Sequence, residues 1–183
     1  TYLTSLSLDG LSSAKSCRIE LIPGFHSYER LGRFSTTLPE CYLKMLSLKT
    51  LHLSGIGLQG TLPNVDIISP HLADLALAHN ALTGTIPLNM QTKVYESLDL
   101  SYNRLSGTLS PAFANATAKY SLFLINNRLS GEIPPTVKNL RDLSILGSNV
   151  FSCNAKRSDL PEHNDHVDKY ECASQSFDMF FYA

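Results

Sequence analysis

Apolar and polar positions in this chain follow a pattern that restarts about every two dozen residues. The stretches LKTLHLSGIGLQGTLP, HLADLALAHNALTGTIP, YESLDLSYNRLSGTLSP and YSLFLINNRLSGEIP fall on one template, LxxLxLxxNxLxGx(I/L)P. The anchors Leu38, Leu62, Ile86, Leu109 and Ile133 recur at steps of 24, 24, 23 and 24 residues. Such a period predicts a solenoid, in which each unit buries its apolar edge only against its neighbours. In the unit opening at Leu72, the spacing of Leu72, Leu75 and Leu77 predicts a short strand with its apolar side inward. Neighbouring units then supply the same strand in parallel, about 4.8 Å away.

The polar positions of the template have work of their own. Asn80 turns the chain, and its amide is placed to bond main-chain groups of the adjoining coil; Asn103 and Asn127 occupy the same column. Ile56 interrupts this asparagine ladder, so main-chain groups there are expected to turn to water, since buried polar groups need partners. Gly84 permits a backbone conformation other residues resist. Pro87 ends the extended segment and cannot donate to a ladder.

This pattern, LxxLxLxxNxLSGxIP, resembles the plant-type leucine-rich repeat over roughly residues 38–153. The resemblance implies an α/β solenoid wound as a right-handed superhelix. It implies a concave parallel β-sheet, secondary strands from the GxI segments, and mostly loops and 3-10 turns on the convex side. Three segments follow: 1–37, an irregular N-terminal repeat with a disulfide-pinned insert; 38–152, the repeats; and 153–183, a C-terminal cap and tail. LTSLSLDGL fits the first half of a repeat, and its opening strand leaves room for earlier repeats upstream. LSILGSNVFSCN reads as a shortened last repeat, with Phe151 and Cys153 in the places of leucine and glycine. The arrangement SCN…LP…YEC is similar to the C-terminal caps of cell-surface leucine-rich-repeat proteins of plants and algae.

Four cysteines allow three connectivities. Coils far apart along a solenoid cannot approach the ~5.5 Å Cα separation of a disulfide, so the spacing favours Cys17 with Cys41 and Cys153 with Cys172. Reduced cytosolic thiols are the rival reading; zinc is a weaker one, because no CxxC occurs. Disulfides point to the secretory pathway and an extracellular or cell-surface location. The sequon Asn115-Ala116-Thr117 agrees with that as a glycosylation site.

Composition mainly excludes. The chain has 183 residues, 43% of them apolar, enough for one domain with a core. With 15 Lys and Arg against 16 Asp and Glu there is no basic stripe to displace phosphate counterions, so nucleic acid is not an expected partner. No apolar run reaches the roughly 18 residues of a membrane span. The closing SFDMFFYA reads either as the approach to a membrane anchor beyond the C-terminus or as a fraying tail.

No enzymatic constellation emerges, and no cofactor is expected. His163, Asp165, His166 and Asp168 are spaced to gather two or three metal ligands. They lack an HExxH frame, so a solvated cap loop is the better reading and no metal is assigned. There is no GxSxG elbow and no phosphate-binding glycine loop.

Binding is expected instead on the outward side of the strands. Its columns are His52, Ala76, Asp99, Phe123; then Ser54, Ala78, Ser101, Ile125; then Gly55, His79, Tyr102, Asn126. His52, His79, Asp99, Tyr102, Phe123 and Ile125 are the candidate ligand-binding residues, the aromatic and aliphatic ones being natural anchors. A covering glycan, cap or domain is the plainer alternative. Thr37, Thr61, Thr85 and Thr108 precede the anchors as a second column that would order water, as in ice binding, but Glu132 breaks it. Threonine also simply suits strands. The expected partner is a protein or peptide, or a cell-wall glycan, captured by a non-catalytic, receptor-like module. The alternatives are a building block of a larger extracellular assembly and an enzyme inhibitor like the plant polygalacturonase inhibitors, for which no charged groove speaks.

Overall fold

A computed structural model describes residues 3–10, 37–113, 121–140, 142–165 and 167–173. In chain order the elements are β1 (Ser5–Ser7), α1 (Glu40–Lys44), β2 (Thr50–His52), β3 (Gln59–Thr61), β4 (Asp74–Ala76) and β5 (Ala81–Thr85). There follow α2 (Leu88–Thr92), β6 (Ser97–Asp99), β7 (Arg104–Thr108), β8 (Ser121–Phe123) and β9 (Arg128–Gly131). The series closes with α3 (Pro135–Lys138), β10 (Asp142–Ser144) and β11 (Val150–Phe151).

These elements wind into the solenoid that the period predicts. One six-stranded parallel sheet runs β1-β2-β4-β6-β8-β10, and a five-stranded one runs β11-β9-β7-β5-β3. In the larger sheet every strand gives its central leucine to one row: Leu6, Leu51, Leu75, Leu98, Leu122 and Leu143 are in register. Leu51, Leu75, Leu98 and Leu122 are completely buried. The smaller sheet faces them with Leu82, Leu105 and Leu129, also buried. Each such side chain contributes about 2 kcal/mol by leaving water, and the rows together make one continuous core.

The returning connections are mostly loop, with single turns of α-helix where the resemblance implied 3-10 turns. They start after Pro39, Pro87 and Pro134 and run five, five and four residues. Helices this short do not stand alone. Buried Leu43, Met90 and Val137 tie them to the core. A 3-10 turn occurs instead at Val167–Lys169, in the C-terminal segment.

Among the described residues, four asparagines stitch the coils as a ladder. Asn103 donates to Leu77 O at 3.0 Å and Leu100 O at 3.1 Å, while its Oδ1 accepts from Leu82 N at 3.0 Å. Asn80 and Asn127 repeat this one coil before and one coil after. Asn149 is a fourth rung, bonded to Leu124 O, Ile145 O and Leu129 N. At the interruption Ile56 is buried, and the Leu53 carbonyl keeps the bond from Asn80 of the next coil; the matching part of the preceding coil lies outside the described residues. Buried Gln91 adds a further stitch, donating to Ile86 O and accepting from Ser110 N, both at 2.6 Å.

The C-terminal end is closed by local chain. Cys153 and Cys172 form a disulfide across 19 residues. Ser152 bridges Ala173 in parallel. The Tyr170 hydroxyl accepts from the Phe151 amide at 2.5 Å and lies 3.1 Å from Asn149 O, to which it can donate. At the other end Cys41 is disulfide-bonded; Cys17 and the rest of the insert, residues 11–36, lie outside the described residues. Among the described residues, no helix is long and apolar enough to cross a membrane.

Candidate functional site

Because successive side chains of a strand alternate in direction, the neighbours of the buried leucines point away from the core on the larger sheet. The register aligns His52, Ala76, Asp99 and Phe123 in one row, with Ser144 extending it. A second row, two residues earlier, holds Thr50, Asp74, Ser97, Ser121 and Asp142. The sequence reading passed over this row. Its signal is the same alternation carried one step toward the N-terminal end of each strand.

Polar contacts order the early part of this face and its last two strands. His52 Nε2 lies 2.9 Å from Asp74 Oδ2, and His52 Nδ1 lies 4.0 Å from Asp9 Oδ2. Asp9 also accepts from Ser54 N at 2.6 Å. Asp99 Oδ1 accepts from the amide and hydroxyl of Ser101 at 2.9 and 2.6 Å. Ser121 donates to Asp142 at 2.5 Å. Between these groups the floor is small: Ala76, Ala78 and Ser101.

At the edge of the sheet the chain turns sharply before each ladder position. Gly55, His79, Tyr102, Asn126 and Ser148 all have φ between +53° and +68° there. Left-handed backbone is uncommon for residues other than glycine, yet two aromatic rings occupy it in adjacent coils. The rings of His79 and Tyr102 stack at 4.2 Å with an interplanar angle of 13°. Tyr102 stays 44% exposed. Phe123 and Ile125, one coil further, are half-buried on the same face. The six candidate residues thus fall into an early polar group around His52, an aromatic edge formed by His79 and Tyr102, and an apolar end at Phe123 and Ile125, with Asp99 between them.

The threonine column takes a different form from the one its spacing suggests. The smaller sheet is staggered: Thr61 stands opposite Thr83, Thr85 opposite Ser106, and Thr108 opposite Ser130. The anchoring threonines therefore do not face one another. Their methyls pack under the glycine of the next coil, so a Cβ at Gly107 would lie 2.7 Å from Thr85 Cγ2. Spacing along the chain does not reveal this stagger.

Two other sequence candidates fall partly or wholly outside the described residues. His166 is one, and among the described residues no three potential metal ligands come together. Asn115 of the sequon is the other.

The family model described as Leucine Rich Repeat matches residues 96–116 and 120–140. The chain is 39% identical to Receptor-like protein 39 of Arabidopsis thaliana, in an alignment over 149 residues covering 66% of this chain and 17% of the relative. It is 40% identical to Receptor-like protein 41 of the same plant, covering 61% of this chain and 16% of the relative. The chain thus spans about a sixth of the length of these relatives. Among solved structures, it resembles the ectodomain of the Arabidopsis receptor kinase HAESA in complex with a peptide hormone ligand. The TM-score is 0.55 at 29% identity, covering 68% of this chain and 22% of that one. A plant peptide hormone receptor in complex is similar at TM-score 0.56 and 28% identity, covering 70% and 22%. A plant ice-binding protein is similar at TM-score 0.54 and 27% identity, covering 70% and 45%.

Period, register and likeness agree on the class: this is a repeat protein that exposes one face of a parallel sheet. The chain is a leucine-rich-repeat domain of the plant type.

Proposed function

We propose that this chain is a non-catalytic recognition segment of a receptor-like protein, displayed outside the cell, and that it captures a protein or peptide on the outward face of its larger sheet. The observation that carries the reading is the exposed ring of Tyr102, stacked on His79 and close in register to Phe123 and Ile125. Aromatic groups held rigidly on an open face are the kind that dominate binding energy. Two similar structures are plant receptors solved with peptide hormones, which supports a peptide as ligand. The disulfides support an oxidising compartment.

The test is capture of partner from the natural source by wild type and by Tyr102→Asn and Phe123→Ser. Asparagine tolerates the left-handed backbone at 102 without adding charge, so stability should hold. Capture should fall at least tenfold. Undiminished capture by both variants rejects this face.

A second reading, a building block of a larger extracellular assembly, is favoured by exposed apolar residues on the returning connections. Leu46 is 68% and Ile67 71% exposed. A chain that stays monomeric at high concentration, and whose partner does not shield these residues, rejects it.

A further inference from the structure

We infer that the outward face reads a basic segment: an extended peptide presenting Lys or Arg beside an apolar residue. This deepens the recognition reading above and rests on it. Asp74 and Asp99 flank Ala76, one along its own strand and the other directly across in register. Each is held on one oxygen only, Asp74 by His52 and Asp99 by Ser101. Among the described residues, Asp74 Oδ1 and Asp99 Oδ2 accept no hydrogen bond, and neither carboxylate pairs with a Lys or Arg.

The reason lies in composition. The rows running from Ser7 and from Thr50 across the larger sheet contain no Lys and no Arg, although the whole chain holds 15. Carboxylates facing solvent with their cations kept off the face give it one sign. The partner that complements it is cationic.

The shape of the face suits the same ligand. The small, part-exposed Ala76 between the two carboxylates leaves room for the methylene stem of Lys or Arg to lie flat, while the charged head reaches a carboxylate. One coil further, Phe123 stands beside Asp99 in register, so an apolar ligand residue would follow the basic one. Six strands about 4.8 Å apart make a face about 24 Å wide, which an extended peptide of about seven residues crosses.

A displayed library of random octapeptides, panned on the full 183-residue chain at low salt, tests this directly. The expected result is enrichment of Lys- or Arg-containing sequences with one aromatic or aliphatic residue. Their affinity should fall about tenfold in Asp74→Asn/Asp99→Asn, the range that two exposed ion pairs supply, and should weaken with added salt. Phe123→Ser should weaken neutral and basic peptides alike. Enrichment of neutral or acidic peptides that still need Phe123 overturns the charge inference and leaves peptide recognition standing. Enriched peptides indifferent to Phe123, or no enrichment over an unrelated surface, overturn both.

Discussion

The two sides of a single strand in this protein obey different rules. On β4, Leu75 points inward and repeats as leucine in every coil, whereas Asp74 and Ala76 point outward and change identity from coil to coil. The inward side is a stack of equal parts: a leucine row, then an asparagine row whose amides serve the main chains of two coils at once. Loss of one part there is felt by both neighbours. The outward side has carboxylates at Asp74, Asp99 and Asp142, rings at the edge and an apolar pair at Phe123 and Ile125, and no residue type repeats along it in every coil as leucine does inside. Stability is therefore concentrated inside and recognition outside, so a substitution on one side is expected to leave the other nearly untouched.

The sharpest way to break this contrast is to remove an inner rung. Asn103→Ala strands Leu82 N–H and takes a donor from Leu77 O and Leu100 O. A cost of about 3 kcal/mol is expected, since unpaired buried groups cost 1–3 kcal/mol each. Denaturant unfolding reads it. A loss below about 1 kcal/mol would show the ladder to be decoration.

Next in size is Gly107→Ala. Its φ of +85° and the approach to the Thr85 methyl both oppose a side chain, and about 2 kcal/mol of destabilisation is expected. Adding Thr85→Ser removes the methyl and should recover the steric part but not the backbone part. Full recovery, or none, would mean that only one of the two causes operates.

Outward substitutions should cost far less. Asp99→Asn and Phe123→Ser are expected to change unfolding free energy by no more than about 0.5 to 1 kcal/mol while changing ligand capture. A larger loss would mean that the outward row also supports the fold.

The smallest effect concerns pH. Burial raises the Tyr170 hydroxyl above its ordinary value of 10.0, the hydrogen bond from Phe151 opposing this. A raised folded value means that the tyrosine's contribution is intact below pH 10 and is lost as pH rises through the folded value. Wild type should thus lose stability on that side more steeply than Tyr170→Phe, which starts lower but has one fewer group to ionise. Parallel curves would remove Tyr170 from the account.

Much of this architecture is legible in the sequence, because the inner positions repeat and a period needs no neighbour information. What escaped departs from the period or occurs once. Asn149 follows Ile145 by four residues, where Asn127 follows Leu124 by three; one extra residue in the turn hid the fourth rung. Gln91 stitches two coils from a helix that lies beyond the last residue of the template, at a position where the other two helices carry no glutamine. The stagger of the smaller sheet, which parts the threonines, is a matter of register between coils that spacing along one coil does not record. On the outward face the rows follow from alternation alone. Which of its side chains lack partners required coordinates, because Asp74 and Asp99 look alike in sequence whether or not a lysine stands beside them.

The most direct measurement is a side-chain footprint of the chain bound to its natural partner, with carboxylates and tyrosines labelled and read by mass spectrometry. The account expects protection of Asp74, Asp99 and Tyr102, while Glu40 and Asp66 on the returning connections react as in the free chain. Protection of Glu40 and Asp66 with Asp74, Asp99 and Tyr102 left fully reactive would contradict it.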